Sequence, residues 1–168
     1  MGQNISFSAK ISEQDLYKYN MHHAYTSTQG IFSLIVSCLL IVVWIARFNT
    51  LSGVYIVAYP VVAVLFALYI PFTLKGKAKL QMQQDVFKFP LDYELTEEAI
   101  IISSPSAENP AELPWEYVYK VTIWKDYLLI YTNRINAYII PKDQITESYD
   151  SILAFIKSHV EDYKYTIK

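Results

Sequence analysis

IFSLIVSCLLIVVWIA (Ile31–Ala46) and VYIVAYPVVAVLFALYIPFTL (Val54–Leu74) are two uncharged apolar runs, separated by little more than Asn49-Thr50-Leu51-Ser52-Gly53. Lipid offers no partners to backbone N–H and C=O groups, so such runs are expected to be helices that satisfy those groups internally. The reading is a transmembrane hairpin over 31–74, with helices at 31–48 and 54–74. The first covers eighteen residues, about 27 Å at about 1.5 Å per residue, close to the hydrocarbon thickness. Arg47 sits at its end, where its stem can stay in the apolar layer while the charge reaches the headgroups. In the second run Tyr55, Tyr59 and Tyr69 fit the aromatic enrichment at both interfaces. Pro60 and Pro71 each remove a helical hydrogen bond, which predicts a kink at Pro60 and a bend at the exit.

Lys75, Lys77 and Lys79 flank that exit, whereas the connecting loop has only Arg47 beside it. The positive-inside bias therefore places the exit, and with it both termini, in the cytoplasm. The same three lysines are candidates for contact with anionic lipid. Ser33/Ser37 and Ala63/Ala67 are small residues at four-residue spacing, suited to close packing within the hairpin or, alternatively, to a homo-oligomer contact. Neither span contains an acidic residue or a histidine, which argues against a self-contained transporter.

Mean hydropathy over the 168 residues is +0.18, an average of a very apolar third and an ordinary remainder. Residues 1–85 carry six basic and three acidic side chains, and 86–168 carry eight and thirteen, a balance of −5. An acidic domain without clustered Lys and Arg is unsuited to nucleic acid. The single cysteine, Cys38, lies within the first apolar run as a packing residue, so one chain can form neither a disulfide nor a cysteine-based zinc site. The first apolar run starts some thirty residues in and no cleavage site follows a basic start, unlike a cleaved signal peptide. Met1-Gly2-Gln3-Asn4-Ile5-Ser6 fits the written N-myristoylation pattern, a short one that chance often produces.

Outside the hairpin the periods change. In the N-terminal part, 1–30, Ile5, Phe7, Ala9 and Ile11 alternate with polar residues as in a half-buried strand. Because a lone strand leaves its ladder groups unpaired, this one is expected to join the sheet formed by 86–140. Ser12, with Glu13 and Asp15 behind it, is a helix N-cap. His22 and His23 follow, about a hundred degrees apart on that helix, and read as interfacial residues rather than metal ligands.

A basic exit segment, 75–85, is expected to prolong the second helix through Leu80–Asp85. From Phe87 the period is two: Phe87, Phe89, Leu91, Tyr93 and Leu95 share a face, and Ala99–Ser103 returns after a turn. Val118–Trp124 and Tyr127–Thr132 flank the tight turn Lys125-Asp126, and Ala137–Ile140 follows Asn133-Arg134-Ile135-Asn136. Ser148 opens a last helix with Ile152, Phe155, Ile156 and His159/Val160 on one face. The domain 86–168 thus reads as about six short antiparallel strands and one amphipathic helix, with Trp115, Val118, Ile139 and Phe155 buried between them.

Several stretches carry a resemblance that spans nearly the whole chain. They are Ser-Glu-x-Asp at 12–15, the hairpin, the basic exit, Leu113-Pro114-Trp115-x-x-Val118, Tyr127–Tyr131 and, most specific, Ala137-Tyr138-Ile139-Ile140-Pro141-Lys142. Together they resemble the YcxB-like membrane proteins of bacteria. The resemblance implies an α+β membrane protein: a two-helix hairpin plus a cytoplasmic domain similar to a pleckstrin-homology fold, an antiparallel sandwich or barrel capped by its C-terminal helix. It implies residence in the bacterial cell membrane and no particular activity. Asp143-Gln144-Ile145 departs from the more basic, aromatic continuation common in that family.

The sequence offers no catalytic constellation and no metal or cofactor site. Glu97 and Glu98 are adjacent in a turn as solvated charges, and His159 reads as a packing or surface histidine of the last helix. Trp115 and Trp124 are expected as core anchors, either of which could instead line a peptide groove. The expected function is non-enzymatic: a membrane-anchored interaction module whose partners are the bilayer and another membrane or cytoplasmic protein. Alternatives are a small immunity or envelope-stress protein acting on a membrane-active peptide, or an accessory subunit of a transporter.

Overall fold

Both apolar runs are helical in the computed structural model, which describes residues 4–167; the Met1-Gly2-Gln3 start of the lipidation pattern lies outside them. Helix α1 spans Glu13–Thr26, α2 Thr28–Arg47 and α3 Gly53–Gln81. The last two are long and apolar enough to cross a membrane, and only 6% of each apolar window is buried. A core helix of a soluble domain would hide that surface. Here Phe32, Val42, Ile45, Val57, Leu65 and Phe72 are all more than half exposed.

The chain divides into two compact units, Leu16–Leu80 on the one hand and, on the other, the residues up to Asp15 joined with those from Gln81 onward. Within the first, α1 and α2 meet at Ser27, whose hydroxyl accepts from the Gly30 N–H at 3.2 Å. A Cβ at Gly30 would fall 2.0 Å from the Ala24 carbonyl oxygen, so the joint admits only glycine. Ser37 donates to the Ala63 carbonyl at 2.9 Å and Ser33 to that of Phe66 at 3.1 Å, so these small positions pair α2 with α3 inside the hairpin.

The prolines have matching donors. A proline cannot donate to the carbonyl four residues earlier, so Pro60 and Pro71 orphan the carbonyls of Ile56 and Ala67, yet α3 continues through both. Trp44 of α2 donates its Nε1–H to the Ile56 oxygen at 2.8 Å. The Tyr25 hydroxyl reaches toward the Ala67 oxygen at a longer 3.5 Å.

In the second unit, β1 (Ile5–Ala9), β2 (Leu91–Leu95), β3 (Ala99–Ser103) and β4 (Ala111–Pro114) form one antiparallel sheet in that order. The expected N-terminal strand is β1, paired with β2 in the register Phe7 opposite Tyr93. A second antiparallel sheet is β5 (Lys120–Trp124), β6 (Tyr127–Tyr131) and β7 (Ala137–Pro141), followed by helix α5 (Tyr149–His159). Six strands therefore fall within 86–168 as expected, although they divide between two sheets. Lys125 takes a φ of 52° in the two-residue turn between β5 and β6.

Two element boundaries differ from the sequence reading. Phe87, the expected start of the alternation, lies in a short helix, α4 (Asp85–Lys88), tied by a 2.6 Å Lys88–Asp85 ion pair. Pro90 has no N–H for a ladder and holds Phe89 extended, so the strand starts only at Leu91. Nor does α3 extend to Asp85, because Gln84 turns extended to open α4.

Tyr93, Leu95, Ile100, Ile102, Trp115, Val118, Val121, Leu128, Ile130 and Ile140 from the sheets pack with Ile152 and Ile156 of α5 in a single core. Trp115 and Val118 belong to it as expected. Phe155 is only partly buried and packs against its rim. Ile139 is buried but lies outside this cluster, because the two-residue pleat turns Tyr138 and Ile140, not Ile139, toward the main core.

Candidate interaction surfaces

Lys75, Lys77 and Lys79 are all exposed on the last turns of α3. Helical spacing puts Lys75 and Lys79 on one face and Lys77 nearly opposite, so their charge surrounds the helix end and does not converge on one headgroup. The 430 Å³ cleft of the hairpin is lined by apolar side chains such as Phe32, Leu65 and Phe66, with Gln29 and Ser33 as its polar groups.

Trp115 has a structural place. It is buried, its indole N–H donates to the Thr96 carbonyl at 2.9 Å, and its ring stacks 5.2 Å from that of His159. Phe155 also stacks on His159, 4.3 Å away and nearly parallel, and lies 6.2 Å from Trp115, so the three rings form one cluster. The His159 Nδ1 sits 2.8 Å from the Phe155 carbonyl and its Nε2 3.1 Å from Glu97. Both ring nitrogens thus lie within hydrogen-bonding distance of oxygen atoms, an arrangement that ties α5 to the β2–β3 turn. Trp124 is half-buried at the end of β5, stacked on Tyr127 at 5.9 Å, with the Lys125 ammonium 5.0 Å from its ring centre. Of the two tryptophans it is the one with a surface.

Two polar ties join the N-terminal segment to the rest of its unit, and sequence reasoning missed both. Ser12 and Asp15 form a reciprocal cap: the Ser12 hydroxyl accepts from the Asp15 N–H at 3.2 Å, and Asp15 Oδ2 accepts from the Ser12 N–H at 2.9 Å. The other oxygen of Asp15 accepts from the Tyr127 hydroxyl at 2.6 Å. Burial, chiefly, and then this bond to Asp15 push the Tyr127 pKa well above the usual tyrosine value. The second tie is Gln144, whose side-chain amide accepts from the Lys10 N–H at 2.7 Å and donates to the Lys10 carbonyl at 2.8 Å. Gln144 thereby stands in for one more rung of sheet beyond Ala9. The cap was legible as Ser-x-x-Asp; nothing in the sequence marks Tyr127 or Gln144 as partners of residues more than a hundred positions away.

His22 and His23 lie edge to face, 5.7 Å between ring centres, and no cluster of metal-ligating side chains occurs among the described residues. Cys38 is exposed on α2.

No curated protein matches the chain. Residues 95–156 match the family model described as YcxB-like protein. The matched stretch runs from the end of β2 into α5 and takes in Trp115, all of β6, and the Ala137–Lys142 motif. Over residues 95–156, most of the strands and the helix that build the core, this chain is similar to the YcxB-like family.

Proposed function

We propose that the chain is a multi-pass protein of the bacterial cell membrane. In this reading the α2–α3 hairpin holds a pleckstrin-homology-like domain at the cytoplasmic leaflet, and the domain recognises another membrane or cytoplasmic protein without catalysing a reaction. The β1–β2 ladder carries the reading. Its strands lie on either side of the two apolar helices in sequence, yet they pair over five residues. A chain that crosses a bilayer twice returns to the side it left, so an even number of spans is what lets these strands meet. The apolar exposure of α2 and α3 exceeds what soluble monomers present and supports insertion. Lys75, Lys77 and Lys79 against a basic-poor loop favour the cytoplasmic side, and those lysines contact anionic lipid there. Sheets of four and three antiparallel strands followed by a helix agree with the pleckstrin-homology-like fold.

Cysteine labelling tests the topology. In a Cys38-free background, a cysteine at Ser52 should react with an impermeant reagent in intact cells while one at Ser106 stays protected. The reverse pattern would invert the orientation, and unequal sides for Ser8 and Ser106 would end the hairpin reading. For recognition, a partner that copurifies with the full chain in mild detergent should be lost from the Leu16–Leu80 hairpin alone. Equal retention would move recognition to the hairpin.

A further inference from the structure

After α5 the chain turns back along β5. The Val121 N–H donates to the Lys164 carbonyl at 2.8 Å, and the Val121 carbonyl accepts from the Thr166 N–H at 2.9 Å and its hydroxyl at 3.1 Å. These bonds make a parallel bridge between Val121 and Tyr165 on the edge of β5 that faces away from β6. Side chains follow the backbone. Tyr165 and Ile167 pack partly buried against the core, while Tyr163 between the turn and the bridge is 75% exposed. Lys164 donates to the Glu116 carbonyl at 2.9 Å, and the Lys157 ammonium of α5 lies 5.9 Å from the centre of the Tyr165 ring. An extended segment is thus recognised in the way a sheet edge recognises a strand: backbone bonds for hold, alternate side chains for identity.

The hold is short. Among the described residues the segment bridges β5 at Val121 alone, whereas the two-residue period of the strand turns the N–H and C=O of Ile123 toward the same edge. One bridge is the weak extreme of strand pairing, and such units open at low free-energy cost. A strand that also engaged Ile123 would make a longer ladder than the chain's own segment makes.

We propose that the edge of β5 beside α5 is a docking groove for an extended segment of a partner protein, and that residues 163–167 occupy it as a built-in competitor. The segment that displaces them runs parallel to β5 and carries a basic residue, an aromatic residue and, two positions on, an aliphatic one, the chemistry of Lys164, Tyr165 and Ile167. This inference rests on the reading of the domain as an interaction module. Its test reads peptide docking alone, so failure here would leave the topology labelling and copurification results standing.

The test uses the full chain in detergent micelles and a fluorescein-labelled peptide with the sequence of residues 161–168, followed by anisotropy. Thr166→Pro removes the N–H that Val121 accepts and so weakens the tail while the chain keeps its length. The variant should bind the peptide at least about tenfold more tightly than the unaltered protein does, a difference of about 1.4 kcal/mol. A peptide N-methylated at the Thr166 amide should bind neither. Tyr165→Ala, which keeps every backbone donor and empties the ring's place, should show the same gain. Equal binding by variant and unaltered protein, or undiminished binding of the N-methyl peptide, overturns the proposal. So does loss of the folded domain in both variants, because the segment would then be an obligate strand and not a displaceable one.

Discussion

Replacing Trp44 with phenylalanine keeps a ring of similar reach but deletes the N–H that lies 2.8 Å from the Ile56 carbonyl. That carbonyl has no helical donor, since the residue four positions on is Pro60. With the hairpin inserted as proposed, no water replaces the lost partner, so the variant leaves one unpaired acceptor. Interhelical bonds of this kind contribute about 0.6 kcal/mol on average and up to about 1.7. The orphaned carbonyl places this one near the upper end, at about 1–1.5 kcal/mol, plus a packing loss where the indole meets Phe48 edge to face at 5.4 Å. Pro60→Ala isolates the hydrogen bond from the packing. It supplies an N–H to Ile56 from within α3, so the Trp44→Phe cost should fall by about 1 kcal/mol in the Pro60→Ala background. Reversible SDS unfolding of the four proteins in mixed micelles, read by helical circular dichroism, gives the cycle. A coupling within about 0.3–0.5 kcal/mol of zero, the range of independent sites, would refute the idea that Trp44 compensates for Pro60.

Ile156 is fully buried whereas Phe155 sits at the rim of the core, so Ile156→Ala should cost about 2–5 kcal/mol and Phe155→Ala distinctly less; chemical denaturation of the two variants ranks them. Gln144→Ala removes both bonds to the Lys10 backbone, and at about 0.5–1.5 kcal/mol net for each it should speed hydrogen exchange in β1 before it affects β5 to β7. Alkaline pH should destabilise the domain. Burial raises the pKa values of Tyr93, Tyr127 and Tyr138 above the usual tyrosine value. Above about pH 10 the folded state therefore holds more protons than the unfolded one, and stability, fully present below that pH, declines as pH rises. Tyr127→Phe should make that decline shallower while costing about 1–2 kcal/mol at neutral pH for the lost bond to Asp15, which unfolding midpoints between pH 7 and pH 12 would show.

The sequence alone determined the local elements, because their physical causes are local. Uncharged runs of membrane length could only be helices, period-two alternation with Thr96-Glu97-Glu98 and Lys125-Asp126 between strands could only be hairpins, and Ser12-x-x-Asp15 carried its own cap. Where a local rule went unread, as with Pro90 behind Phe89, the element was misassigned although the cause was in plain view. Tertiary structure decided what distance in sequence conceals. Ile139 and Phe155 have the hydrophobicity of core residues, but whether either reaches the main cluster depends on which way the pleat and the helix face, and that is set by how two sheets and α5 meet. Pro60 announces an orphaned carbonyl without naming its donor, since Trp44 becomes available only once α2 and α3 lie side by side. Tyr127 and Asp15, Gln144 and Lys10, and Val121 and Tyr165 are likewise ordinary residues until the fold brings their backbones and side chains within hydrogen-bonding range, because a hydrogen bond depends on distance and direction that composition and spacing do not encode.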